Sequence, residues 1–271
     1  MDTIHVSTKF PFARYCKYSK LIAGVVLSGA LSAWAGTIPG IVVPGTSDPY
    51  LAGMPDGSTA SYDDVAPAQS PVLVPSWVPQ AGDVITFSNV TGLVNYDGDT
   101  PNDPPDGAPN SILGHLDGNP GDSPQPENGI ADMYAPIDSL VGVFLGSGRP
   151  DTGDPTPPPP LDFSPTGSHP NALGLNFLTL SPLLYQPFFI GDGMTSGKVV
   201  QQFTVPAGAT RLYLGTMDGF DWENNTGAFS VDLNVPETVP EPASFSLLAL
   251  AGGTLLLRRR RHNEARGGCS A

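Results

Sequence analysis

Apolar side chains along most of this chain come in short runs, and several of these runs alternate with polar positions. Phe203 and Val205 alternate with Gln202 and Thr204, and Leu212 and Leu214 alternate with Arg211 and Tyr213. A period of two is the signature of a strand with one face buried, and helical spacing is scarce. Runs of this kind predict strands over residues 71–77, 83–89, 139–145, 185–190, 199–205, 210–215 and 227–235. Phe203, Val205, Leu212, Leu214, Phe229 and Val231 are the expected inward residues. Glycine (32 residues) and proline (31 residues) punctuate the runs, which favours short strands joined by turn-rich loops. The expected fold class is all-β, an antiparallel β-sandwich of jelly-roll or galactose-binding-like type. Residues 97–128 and 148–171 hold too few apolar side chains to form core and read as surface loops. No internal repeat is evident.

Both ends depart from this pattern. Lys9, Arg14, Lys17 and Lys20 precede an apolar or small stretch from Leu21 to Ala33, and Ala33-Trp34-Ala35 fits an A-x-A cleavage site. Residues 1–35 therefore read as a secretory signal peptide with a helical apolar segment, cut after Ala35, with Ala30 and Ala33 as the alternatives. At the other end, Ala243–Leu257 is uncharged over 15 residues and is followed by Arg258, Arg259, Arg260 and Arg261. A helix of that length spans roughly 22 Å, so it crosses a bilayer only with snorkelling or local thinning. The arginines favour the cytoplasmic side and leave the preceding segment outside. In that segment Pro240 and Pro242 keep the chain extended and open to a protease.

The order Val239-Pro240-Glu241-Pro242, apolar run, arginine cluster resembles the PEP-CTERM sorting signal of Gram-negative bacteria. The resemblance covers about a tenth of the chain. It implies recognition by the secretion machinery, a transient inner-membrane anchor, processing by exosortase, and release to the cell surface or extracellular matrix. An uncut C-terminal anchor is the plainer alternative. The expected organisation is signal peptide 1–35, lead-in 36–69, β-sandwich 70–235, linker and Pro-Glu-Pro motif 236–242, a C-terminal transmembrane helix with its arginines 243–261, and a cytoplasmic tail 262–271.

Removing both ends changes the charge. Between Gly36 and Leu257 the basic residues are Arg149, Lys198 and Arg211 against 24 acids, a net charge of −21. Such a surface repels nucleic acid and anionic lipid. Both cysteines, Cys16 and Cys269, fall in the removed ends, so the exported domain has no thiol chemistry.

Candidate chemistry therefore lies in acidic loops. Asp218-Gly-Phe-Asp-Trp-Glu-Asn-Asn-Thr-Gly227 sits between two expected strands. Its carboxylates and amides are the oxygen ligands that hard Ca²⁺ prefers. By composition, a calcium loop and a solvated acidic hairpin account for it equally. Asp97-Gly-Asp-Thr-Pro-Asn-Asp103, with Asp106 beyond, alternates acids but lacks the glycine and closing glutamate of an EF-hand, and it also reads as a polar loop. Asp132 and Asp138 are a paired-carboxylate candidate for glycoside hydrolysis with no spacing to support it. His115 and His169 have no ligand spacing around them and read as surface residues.

The segments Ala81-Gly-Asp-Val-Ile-Thr-Phe87 and Asn224-Asn-Thr-Gly-Ala-Phe-Ser-Val231 are similar to the two ends of the calcium-dependent galactose lectins of the LecA type. That resemblance covers about 50 residues. It implies Ca²⁺ held by the side chains of Asp218, Asn224 and Asn225 and by the carbonyls of Asp221 and Tyr96, in a loop one residue shorter than the lectins'. It implies sugar contacts at Gln125 and Asn128, where the lectins carry His and Gln. Trp222 either stacks on a sugar or packs the loop base. The reading that follows is a non-enzymatic, exported, calcium-stabilised module that contacts extracellular polysaccharide or adheres. The alternatives are a structural biofilm or matrix protein without sugar binding, and a polysaccharide-active hydrolase.

Overall fold

The computed structural model describes residues 34–60, 64–108, 111–114, 126–152 and 156–236. The expected signal helix, Ala33, Gln125, the Val239–Pro242 motif, the C-terminal apolar helix and Arg258–Arg261 lie outside these residues. Among the described residues no helix is long and apolar enough to cross a membrane.

The fold is all-β; among the described residues its helical elements are the 3-10 turns at Pro49–Leu51 and Trp222–Asn224. Its strands are β1 (Trp34–Pro44), β2 (Val72–Leu73), β3 (Val84–Asn95), β4 (Ile112–Gly114), β5 (Met133–Pro136), β6 (Leu140–Leu145), β7 (Leu161–Asp162), β8 (Thr179–Leu180), β9 (Phe188–Phe189), β10 (Gln202–Thr204), β11 (Arg211–Thr216) and β12 (Thr226–Pro236). They form three sheets, in the orders β1-β12-β3-β10-β8, β2-β11-β6-β9 and β4-β5-β7. Most neighbours are antiparallel, but β10–β8 and β5–β7 are parallel. All seven expected runs contain a strand. Four are trimmed, β11 is shifted by one residue, and β12 and β3 run longer, β3 continuing to Asn95, well past the expected end.

Each of the six expected inward residues is buried. Phe203 of β10 lies 5.3 Å from Phe188 of β9 and 5.4 Å from Phe87 of β3, measured between ring centroids. These aromatic contacts join the five-stranded and four-stranded sheets in one hydrophobic cluster. The sequence LVGVFL of β6 does not alternate because both of its faces are covered. Phe144 joins the main cluster, while Val143 and Leu145 pack with Tyr50, Ile130 and Trp222 in a second one.

Residues 36–69 are not a loose lead-in. They begin within β1, which pairs with β12 along Gly36–Pro44, and they continue into the turn whose Tyr50 and Ala52 are buried against Val143 and Leu145 of β6. The sequence signal was weak because Pro39, Gly40 and a register shift between Ile38 and Ile41 break the alternation. Asp232 secures that irregularity. One carboxylate oxygen accepts from the Gly40 N–H at 2.7 Å and the other from the Asn89 amide at 2.8 Å. β1 also starts at Trp34, so the expected cleavage after Ala35 falls in its first residues.

Candidate functional site

Three strand ends meet at one edge of the fold. Thr226 opens β12 and pairs with Asn95, the last residue of β3, so Tyr96 leaves the sheet beside Asn224 and Asn225. β11 ends at Thr216, two residues before Asp218. Thr216 anchors the junction: its hydroxyl donates to the Gly45 carbonyl at 2.6 Å, and its own carbonyl accepts from the Trp222 indole N–H at 3.0 Å. Between β11 and β12 the chain turns at Asp221, which adopts the left-handed conformation (φ 66°), and then makes the 3-10 turn Trp222–Asn224.

This arrangement brings together the residues of the expected calcium loop. A pocket of about 260 Å³ is lined by Tyr96, Asp97, Ile137, Asp218, Asp221 and Asn224, among others. Asp218 is buried; one of its carboxylate oxygens accepts from the Gly219 N–H at 2.5 Å, and the other has no hydrogen-bond partner. Asn225 is buried too. Its amide nitrogen donates to the Gly45 carbonyl at 3.1 Å, which fixes the side chain and leaves its carbonyl oxygen without a donor. Asn224 is exposed and donates to the Asp221 carboxylate at 3.2 Å.

Two orphaned oxygen acceptors, both buried, are costly for a fold to keep. Burial pushes the Asp218 carboxyl up to about 7, against the opposing pull of the Asn225 side chain and the Gly219 and Phe220 amides. Such a donor set, all oxygen with no nitrogen or sulfur, fits a hard cation such as Ca²⁺. Among the described residues no group of three or more His, Cys, Asp or Glu side chains is arranged to hold a metal ion. Any ion at this pocket therefore takes amide or backbone oxygens as well as carboxylates.

Of the expected sugar contacts, the two described residues, Trp222 and Asn128, do not line this pocket. Trp222 is fully buried, and its ring meets the Tyr50 ring edge-on at 5.9 Å. It forms the base of the loop and offers no face to a sugar. Asn128 donates to the Tyr50 carbonyl at 3.0 Å and is not among the residues lining the pocket.

The second acidic segment is folded against the sheet end. The Asn95 side-chain oxygen accepts from the Asp97 and Asp99 N–H groups, Val94 and Asp103 exchange backbone hydrogen bonds, and the Thr226 hydroxyl donates to the Asp99 carbonyl. Asp97 thereby reaches the pocket rim. Asp106 leaves the cluster, accepting instead from the Asp192 N–H at 2.8 Å. Asp132 and Asp138 engage different partners. Asp132 accepts from the Met133 N–H at 2.6 Å and lies 3.4 Å from the Tyr50 hydroxyl, whereas Asp138 faces Asp103. His169 is exposed and sits 2.9 Å from Asp162.

Sequence reasoning missed the juxtaposition of Asp103 with Asp138. The available signal was an aspartate set between Ile137 and Ser139 in an apolar stretch, at a turn entering a strand. No protein-family profile matches the chain, and no curated protein matches it.

Proposed function

We propose that this chain is an exported, non-enzymatic module whose fold is an antiparallel β-sandwich of jelly-roll type. It carries one Ca²⁺ on Asp218, Asn224 and Asn225 with backbone oxygens of Asp221 and Tyr96. Its tail is a PEP-CTERM signal that routes it, through a transient inner-membrane anchor and exosortase, to the cell surface or matrix of a Gram-negative bacterium. The observation that carries the calcium reading is the pair of buried, partnerless oxygens on Asp218 and Asn225. Both belong to residues that the lectin-like loop implies as ligands. A bound cation would neutralise the carboxylate and satisfy the amide oxygen, and it would hold the ends of β3, β11 and β12 together. With one face open, it would also accept two hydroxyls of an extracellular polysaccharide.

The burial of Trp222 supports a second reading, in which the ion only stiffens the fold of a structural matrix protein. Without an aromatic platform the pocket offers a sugar little apolar contact. The two readings part on two measurements. At Ca²⁺ 100-fold above its dissociation constant, an ion bound only by the folded state adds about 2.7 kcal/mol of stability. The calcium reading therefore expects melting to rise from EDTA to millimolar Ca²⁺, and equal melting temperatures refute it. The carbohydrate reading also expects Ca²⁺-dependent retention on an immobilised glycan, lost in Asp218→Ala. A calcium-dependent melting temperature with no retention on a glycan array selects the structural reading.

A further inference from the structure

Asp138 is fully buried, and neither of its carboxylate oxygens has a hydrogen-bond partner among the described residues. It cannot easily swing away. Its backbone is held at φ 65°, and its N–H donates to the Met217 carbonyl at 2.6 Å. The carboxyl of Asp103 lies within hydrogen-bonding reach of it, and the charge of Asp218 is also felt there. Asp103 is fixed as well, through the paired backbone bonds to Val94 at 3.0 and 3.1 Å. Burial and the neighbouring Asp103 and Asp218 carboxylates push the Asp138 acid up, and the Tyr96 N–H draws it down.

Two ionised carboxylates are both acceptors, so close contact between them is repulsive unless a proton or a cation sits between them. Among the described residues no Lys or Arg is placed there. Arg149 pairs with Asp151, Lys198 pairs with Asp192, and Arg211 donates to the carbonyls of Gly146 and Gly148. These are the three lysine and arginine residues between Trp34 and Pro236. Asp103 is only half-buried, which leaves water and ions a way to the pair.

We propose that Asp103 and Asp138 are the carboxylate ligands of a second divalent-cation site, beside the one at Asp218. The choice of calcium for it rests on the reading of the Asp218 loop; the pair itself does not. A hard cation takes six to eight oxygens, so backbone carbonyls and water complete the shell.

The test is calcium content, measured by equilibrium dialysis of the full chain after stripping with EDTA, with Ca²⁺ alone as the probe. Wild type is expected to hold two ions per chain. Asp138→Asn and Asp103→Asn are each expected to hold one, and so is the double variant Asn224→Ala, Asn225→Ala. Asparagine keeps the shape of the side chain, tolerates positive φ, and can donate to the remaining carboxylate, so Asp138→Asn should fold without the ion. Its melting temperature in EDTA is expected to exceed that of wild type. Asp103→Asn, at the more exposed member, is the second probe of the same pair. Undiminished ion content in both aspartate variants overturns the proposal. A single wild-type ion lost alike in the aspartate and asparagine variants also overturns it, merging the pair into the first site. Loss of an ion in the aspartate variants but not in the asparagine double variant upholds the pair and removes the Asp218 reading. A wild type that binds no ion removes both.

Discussion

Asp218 should make the calcium-free protein more stable in mild acid than in mild base. Its carboxyl is raised to about 7 in the folded chain from an ordinary 3.8. Between those values the folded state keeps a proton that the unfolded state has released. Stability therefore falls as pH rises through this window. At about 1.36 kcal/mol per pH unit the whole effect is about 4 kcal/mol, of which about 2.5 falls between pH 5 and pH 8. Asp218→Asn removes the titration while keeping the shape. Asp138 also titrates high, but it is present in both proteins and largely cancels in their difference. In EDTA, the unfolding free energy of Asp218→Asn minus that of wild type is expected to grow by about 2.5 kcal/mol from pH 5 to pH 8. For a domain of this size that corresponds to roughly 5–10 °C in melting temperature. Urea melts at the two pH values measure it directly. With saturating Ca²⁺ the order should invert, because the ion takes over the role of the proton and only the wild type binds it fully. A difference that stays flat within about 0.5 kcal/mol would mean that water or a donor already satisfies Asp218, and the argument for a cation there would fall.

Three further outcomes follow from particular contacts. Trp222→Ala should cost about 3–5 kcal/mol by cavity formation, with the Thr216 carbonyl left unpaired, and a near-neutral thermal melt would refute its burial. Gly92→Ala should destabilise by about 1–3 kcal/mol more than Gly82→Ala, because a Cβ at Gly92 would lie 2.2 Å from the Ala228 carbonyl oxygen whereas none lies within 4 Å at Gly82; both have positive φ, so that penalty is shared, and equal melts would contradict the register of β3 on β12. Mass spectrometry of the exported protein should find neither Cys16 nor Cys269, and retention of Arg258–Arg261 would end the sorting proposal.

The strands were legible wherever alternation was uninterrupted, as in Gln202–Val205 and Arg211–Leu214. β1 was not, because a proline, a glycine and a bulge hide its period, and because its partner β12 lies nearly 200 residues away. The short strands β4, β5, β7 and β8 carry too few residues for any period to register. The Asp218–Asn225 loop was legible as one local acidic segment. The Asp103–Asp138 pair was not, since the sheet brings together residues whose flanking sequences share no pattern. Trp222 was ambiguous by nature: an aromatic in an acidic loop reads the same whether it faces water or plugs the base.

The direction of β12 has a consequence for presentation. The strand runs from Thr226, at the pocket, to Pro236, only a few residues before the proposed membrane segment. Eleven extended residues rise roughly 35 Å. If the tail is held in the bilayer as proposed, the Pro236 end of the strand is the tethered one and the acidic pocket lies at its far end. The pocket would then meet the surrounding medium, and sample its calcium, before the tail is cut.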